Sequence, residues 1–437
     1  MVGAAGFTPW FHAVYGLCSM KYAIIIADGA GDYPLKELGG RTPLQAARTP
    51  AMDRLASMGR LLTAKTTPPG FGAGSDVCTM DLLGYDPRKY HTGRAPLEAA
   101  AIDMPIGEHD FVFRVNLVTV GTGPADSGKM LDHSAGGISD AEAKPLFEDL
   151  LKHWQKTLPA RAKTLSLRHG VSYRSSMVDS SRLRYDRIKT TPPHEIPGEP
   201  WERNLPVSTS PEGEPAAAAL RELISTSQAF LADHPINRAR IAAGKRPGNT
   251  AWIWGQGTKP MMPSFKDRFG IRGGMITAVD LLAGIAKLIG WDRLDVPGVT
   301  SYHDTDYAAQ GSHTVAALDR YDLVVCHVES PDESSHQGDW RTKVAAIEAI
   351  DEKVVAPVLE KCLTFPAWRL MVLPDHYTLV STRKHDATPV PIVLAGSDIT
   401  PQPTAAAATY DEASANASPI KLEEGHELMA YFLGRDG

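Results

Sequence analysis

Cysteine is scarce: Cys18, Cys78, Cys326 and Cys362 are spread along 437 residues. None forms a Cys-x-x-Cys pair. Neither a disulfide framework nor a thiolate zinc site is expected, and a reduced, cytoplasmic setting is the simpler reading. Long apolar runs are missing too. No uncharged stretch approaches the roughly 20 residues that span a bilayer, so no membrane partner is expected. Excess positive charge is absent, because the net charge is −6. That argues against nucleic acid as a partner. A GxxxxGK[ST] phosphate loop is missing, which weakens an ordinary nucleotide-kinase reading. The first twenty residues hold no Lys or Arg, so they lack the positive start of a secretory signal. Met20 stands just before the first convincing strand. Residues 1–19 read as an optional extension, disordered, or as a misassigned start.

What is present is ordinary globular composition, 43% hydrophobic and 22% charged, long enough for two or three domains. Residues 22–27 (YAIIIA) are short, apolar and β-branched, and they end in Asp28-Gly29, as a buried strand does. Thr49-Pro50 opens a helix whose apolar face is Met52, Leu55, Ala56 and Met58, with Gly59 to close it. Further strands are expected at 323–328, 370–373 and 390–394, with a helical pattern over 344–359. This alternation predicts an α/β fold with a largely parallel sheet, whose ligands bind beyond the C-terminal strand ends.

The middle differs. A strand is expected at 111–120, then a Gly/Asp/Ser-rich loop to 139, and helices at 140–156 and 216–232. Residues 189–215 are rich in Pro, Glu and Ser. The reading is a core of two parts, 20–109 and 251–437, with an inserted α+β cap at 110–250. The Ala run 405–408 is taken as a loop edge, and no solenoid repeat is present.

The segment Gly70-Phe-Gly-Ala-Gly-Ser-Asp76 leads into an apolar stretch, which puts Ser75 near a helix N-terminus. Free N–H groups there favour an anion, be it an alkoxide or a phosphate. By itself this spacing favours a plain helix cap. Three other features change the balance. Strand 22–27 ends at Asp28. Strand 323–328 is followed by Asp332 and His336, four apart and on one face of a helix. Strand 370–373 is followed by Asp375-His376, with His385 nine residues on. Each alone is a common accident. Together they place acids and imidazoles at one sheet edge, a set that suits zinc, manganese or iron better than calcium. Asp28, Ser75, Asp375 and His376 are assigned to one ion and Asp332, His336 and His385 to another. Two such ions clamp a phosphoryl group and activate a serine.

The chain resembles the archaeal-type, cofactor-independent phosphoglycerate mutases of the alkaline phosphatase superfamily, from about residue 21 onward. The matching segments include ADGAGD (27–32), TPLQAARTPAMDRLASMG (42–59), GSD (74–76) and LLGYDPRKYHTGRAPLEAAA (82–101). FRVNLVTV (113–120), SAGGIS (134–139), IWGQG (253–257), HVESPDESSHQGD (327–339), KVAAIEAID (343–351) and LPDH (373–376) follow in order. The resemblance implies an alkaline-phosphatase-like core with an inserted cap. It implies interconversion of 2- and 3-phosphoglycerate, a step of glycolysis and gluconeogenesis, through a phosphoserine on Ser75. It also implies two divalent ions, manganese or zinc, and no 2,3-bisphosphoglycerate. The seven ligands named above carry over. Arg94, Arg114, Asn116, His133 and Arg174 are the candidate contacts to a small phosphorylated substrate. The bland alternative is that each Arg makes a structural ion pair.

Two positions depart from the family pattern. Gly137 stands where a His is usual, and Gln310 where a Lys usually follows the Asp-Thr-Asp-Tyr run. Loss of a cation near a transferring phosphate would weaken catalysis or redirect it. A phosphohydrolase or homoserine-kinase-like phosphotransferase is therefore the second reading. A metal- or anion-binding protein without catalysis is the third. The oligomeric state, a homo-oligomer included, is left open.

Overall fold

The computed structural model describes residues 20–402 and 409–435, so the 1–19 extension and the Ala run 405–408 lie outside the described residues. None of the described helices is long and apolar enough to cross a membrane. The chain forms two compact units.

The first unit comprises residues up to Pro87, Pro263–Val279 and Ile289 onward. Its sheet has eight strands in the order Asp292–Arg293, Gly273–Ile276, Leu323–Val328, Lys21–Ala27, Trp368–Leu373, Val390–Gly396, Arg60–Ala64 and Lys421–Leu422. Ile24, Ile25 and Ile26 are fully buried, as both-sided coverage by helices requires of an apolar run. Lys21–Ala27 pairs in parallel with Leu323–Val328 and with Trp368–Leu373. The strand expected at 390–394 is there, but it runs antiparallel to both neighbours. The reason is the connection. After Trp368–Leu373 the chain makes a hairpin, Tyr377–Leu379 with Lys384–Asp386, and re-enters the sheet without the crossover a parallel strand needs.

The helix Pro50–Met58 starts where Thr49-Pro50 said, but the Thr49 side chain does not cap it. The Asp351 carboxylate does, accepting from the N–H groups of Ala51 at 3.1 Å and Met52 at 2.8 Å. Asp351 opens a π-helical turn, Asp351–Val355, within the helical stretch expected at 344–359. Gly59 ends the first helix for another reason than a left-handed turn, since its φ is −145°. A Cβ there would lie 2.0 Å from the Leu394 carbonyl oxygen.

The second unit comprises Arg88–Met262 and Asp280–Leu288. It is wider than the 110–250 segment drawn from the sequence. The helix Asp280–Leu288 belongs to it because Gly284 lets it approach the helix Arg94–Ala101; a Cβ on Gly284 would lie 1.9 Å from the Leu97 carbonyl oxygen. Phe111–Val120 forms the middle of an antiparallel sheet, between Arg174–Asp179 and Thr250–Thr258. The helices Asp140–Thr157 and Glu214–Ala232 cover one face through Phe147, Leu150, Leu220 and Leu223.

Candidate functional site

The C-terminal ends of three adjacent strands of the first unit supply the acids and imidazoles. Asp28 follows Lys21–Ala27, and Asp375 and His376 follow Trp368–Leu373. Asp332 and His336 share the helix Ser330–Gln337 that follows Leu323–Val328, and His385 sits on the hairpin strand Lys384–Asp386. Ser75 is the first residue of the helix Ser75–Leu82. It does not cap that helix; Gly74 occupies the cap position. The Ser75 hydroxyl instead lies 3.2 Å from His376 Nε2.

Asp28, Asp375 and His376 offer ligand atoms all within 4.8 Å of one another. His376 Nε2 is 3.4 Å from Asp28 Oδ1 and 3.5 Å from Asp375 Oδ2. Both of those oxygens are buried and have no hydrogen-bond partner. Stranding carboxylate oxygens out of water is costly unless a cation sits among them. Burial, reinforced by the neighbouring Asp28 charge, pushes the Asp375 carboxyl up to about 7. Burial also pushes the His376 imidazole down, toward the neutral form that can offer a lone pair.

The other group is as tight. His336 Nε2 lies 3.1 Å from Asp332 Oδ2 and 2.9 Å from His385 Nε2, and His385 Nε2 is 3.4 Å from Asp332 Oδ1. His336 Nδ1 is 3.0 Å from the Arg383 carbonyl, so it carries a hydrogen there and its lone pair turns inward. Electron-rich atoms this close need a proton or a cation between them. Without a cation, the hydrogen bond to Asp332 raises His336 to about 9. The donor set of both groups thus fits divalent cations: imidazole nitrogen, carboxylate oxygen and a serine hydroxyl.

Residues that the sequence reading passed over complete the site. His327 is fully buried, with Nε2 2.8 Å from Asp28 Oδ2 and 3.6 Å from Glu329 Oε2. Two carboxylates facing one nitrogen make it an N–H donor, so His327 holds Asp28 by a hydrogen bond. Thr378 touches Asp332 and His376. Both residues lie inside the HVESPDE and LPDHYT segments, where strand and loop periodicity did not separate them from framework residues. Gln310 is buried. Its Nε2 donates to the His327 carbonyl at 3.1 Å, and its Oε1 accepts from the Thr305 hydroxyl at 3.3 Å. It is a framework residue here.

The five candidate substrate contacts all lie in the second unit. Arg114 and Asn116 project from the same face of Phe111–Val120, two residues apart. The Arg114 guanidinium lies 4.5 Å over the Trp254 ring and makes a paired hydrogen bond to Glu98, at 2.9 and 2.6 Å. The ion pair of the bland reading is present at this position. Asn116 accepts from Trp254 Nε1 at 3.2 Å and donates to the His133 carbonyl at 3.5 Å. Arg174 pairs with Asn116 across the sheet and stacks over Tyr173. His194, which the sequence reading did not single out, lies between His133 and Trp254. Arg94 is exposed at the start of the helix Arg94–Ala101. Gly137 is exposed with φ +65°, a conformation that favours glycine.

An α/β core that gathers a serine, carboxylates and imidazoles at one sheet edge defines an enzyme rather than a framework or docking protein. Comparison with known proteins sharpens this. A family model described as 2,3-bisphosphoglycerate-independent phosphoglycerate mutase matches residues 56–237. The mutase of that name from Methanothrix thermoacetophila is 41% identical over 95% of this chain and 100% of its own length. The second such mutase of Methanothermobacter thermautotrophicus is 42% identical over 95% and 98%. Among solved structures, a Pyrococcus horikoshii protein superposes with a TM-score of 0.78 at 26% identity, covering 96% of this chain and 99% of that one. The cofactor-independent phosphoglycerate mutase of Thermoplasma acidophilum gives 0.68 at 26% identity, over 96% and 100%. The chain belongs to the 2,3-bisphosphoglycerate-independent phosphoglycerate mutase family.

Proposed function

We propose that this enzyme interconverts 2-phosphoglycerate and 3-phosphoglycerate through a phosphoserine on Ser75, with two divalent cations and without 2,3-bisphosphoglycerate. The observation that carries the reading is the Ser75 hydroxyl at a helix N-terminus, 3.2 Å from His376 Nε2 and beside the partnerless oxygens of Asp28 and Asp375. Asp28, Ser75, Asp375 and His376 would hold one cation, and Asp332, His336 and His385 the other. When bound, such ions lower the pKa of the serine hydroxyl and neutralise charge on the phosphoryl group.

Ser75 Oγ attacks phosphorus. A P–O bond to the serine forms as the P–O bond to the glycerate breaks, and the serine proton ends on the departing glycerate oxygen. The glycerate then presents its other hydroxyl, which takes the phosphoryl group and returns a proton to Ser75. Ser75 opens the helix Ser75–Leu82, whose free N–H groups would favour the charge of a phosphoserine there. Arg94, Arg114, Asn116, His133 and Arg174 are the proposed contacts to the substrate carboxylate and phosphate. The described cysteines are buried and unpaired, which supports a cytoplasmic setting.

The test is direct. Purified protein with manganese, and separately zinc, should convert either phosphoglycerate to the other without added bisphosphoglycerate, and Ser75→Ala should abolish the exchange. Release of free phosphate without isomer formation would instead mark a hydrolase. No turnover with any divalent metal, on a panel including homoserine, would sink the reading.

A further inference from the structure

One hydroxyl joins the two halves of the site. Thr378 is fully buried, and its Oγ1 lies 2.5 Å from Asp332 Oδ1 and 3.1 Å from His376 Nδ1. Asp332 has His336 at 3.1 Å on its other oxygen, so it is an ionised acceptor and takes the single Thr378 hydrogen. The Thr378 oxygen must then accept from His376. His376 Nδ1 also faces the Tyr377 carbonyl at 3.2 Å, another acceptor. Both arrangements require the hydrogen on Nδ1. Nε2 is left facing Ser75 Oγ and the Asp28 and Asp375 carboxylates, where a cation would take its lone pair.

The surroundings hold Thr378 in place. Lys343 Nζ, fully buried, donates to the Thr378 carbonyl at 2.7 Å and to the Gly31 carbonyl at 3.2 Å. The Thr378 N–H donates to that same Gly31 carbonyl. Gly29, with φ +61°, makes room: a Cβ there would lie 2.5 Å from Thr378 Oγ1 and 2.7 Å from Asp332 Oδ1.

We infer that Thr378 is a positioning residue that locks His376 in its Nδ1–H tautomer and ties it to Asp332, so that both cation positions are set by one hydroxyl. The inference rests on the two-cation reading, because Nε2 also faces the Asp28 and Asp375 carboxylates and a cation is what keeps a proton off it. Zinc-loaded protein with ¹⁵N-labelled histidine, examined by two-bond ¹H–¹⁵N correlation, tests it first. His376, assigned by its loss in His376→Asn, should show a protonated Nδ1 and an unprotonated Nε2. The reverse pattern overturns the inference.

Calorimetric titration with Mn²⁺ tests the coupling. Thr378→Val should weaken binding about 10- to 100-fold in both sites, while Thr378→Ser stays within about threefold. Binding by the Val variant as tight as by the parent, or an equal loss in the Ser variant, also overturns it. If Thr378→Val does not fold, the Ser variant and the parent spectrum decide. Absence of Mn²⁺ and zinc uptake by the unmodified protein would overturn the two-cation reading and the inference with it, whereas uptake that Thr378→Val leaves unchanged overturns the inference alone.

Discussion

Glu412 offers a test of how burial controls charge in this fold. It lies on the helix Glu412–Ala417, 6% exposed, in a network shared with Lys343 and Asp32. Its Oε1 accepts from the Asp32 N–H at 3.1 Å, and its Oε2 accepts from the Thr42 hydroxyl at 2.6 Å. Burial outweighs these bonds and lifts the carboxyl from 4.5 to about 7. Between those values the folded chain keeps a proton that the unfolded chain has released. The stability from this group is therefore full below pH 4.5, falls as pH rises, and is gone above about 7. At about 1.4 kcal/mol per pH unit, the gap from 4.5 to 7 amounts to about 3 kcal/mol. Glu412→Gln cannot ionise, keeps one acceptor oxygen for Asp32, and lets the Thr42 hydroxyl accept instead of donate. Its stability relative to the parent should improve by about 3 kcal/mol between pH 4.5 and 8. Urea denaturation of both proteins across that range, with a chelator present to remove metal effects, measures the difference. A gap that does not change with pH would refute the reasoning.

Other outcomes follow from the same geometry. Gly59→Ala should destabilise the fold by about 1–3 kcal/mol, because the new Cβ meets the Leu394 carbonyl; an unchanged urea midpoint would contradict it. Mn²⁺ affinity should climb with pH until about 9, since the ion must displace the His336 proton that Asp332 retains in metal-free protein. Bound metal should be lost as pH falls through about 6, and full metal content at pH 5 by elemental analysis would count against imidazole ligation. Gln310→Leu should lower stability by about 1–3 kcal/mol, by taking the Gln310 donor from the His327 carbonyl and the acceptor from the Thr305 hydroxyl hydrogen. Equal urea midpoints would show that those bonds contribute nothing.

Much of the core was legible because its strands are short, apolar and doubly buried. The runs 22–27 and 323–328 differ from the observed strands by at most one residue. The convergence of Asp28, Asp332, Asp375 and their imidazoles was legible for a related reason. In a parallel sheet, C-terminal strand ends must meet at one edge, so residues just past those ends become neighbours. Contacts made by side chains from distant segments were not legible. Asp351 capping the helix Pro50–Met58 leaves no local signal near Thr49. Gly59 and Gly284 look like turn or helix-weakening residues until the carbonyl each one touches is known. His327 sits inside a strand pattern, where an imidazole reads as one more side chain in the sheet. The antiparallel direction of Val390–Gly396 is likewise invisible to periodicity, which has no sense of direction.

The strand order has a consequence for the history of each molecule. Ile24 lies between Val325 and Met371, about 300 residues away along the chain. A ribosome must therefore release most of the polypeptide before the first strand meets either neighbour. The sheet around Phe111–Val120 is complete once Thr258 emerges. That sheet should be protected from hydrogen exchange on stalled nascent chains ending shortly beyond it, while Lys21–Ala27 still exchanges freely. The chain then leaves the ribosome with the sheet of its second unit folded and its nucleophile still waiting for partners.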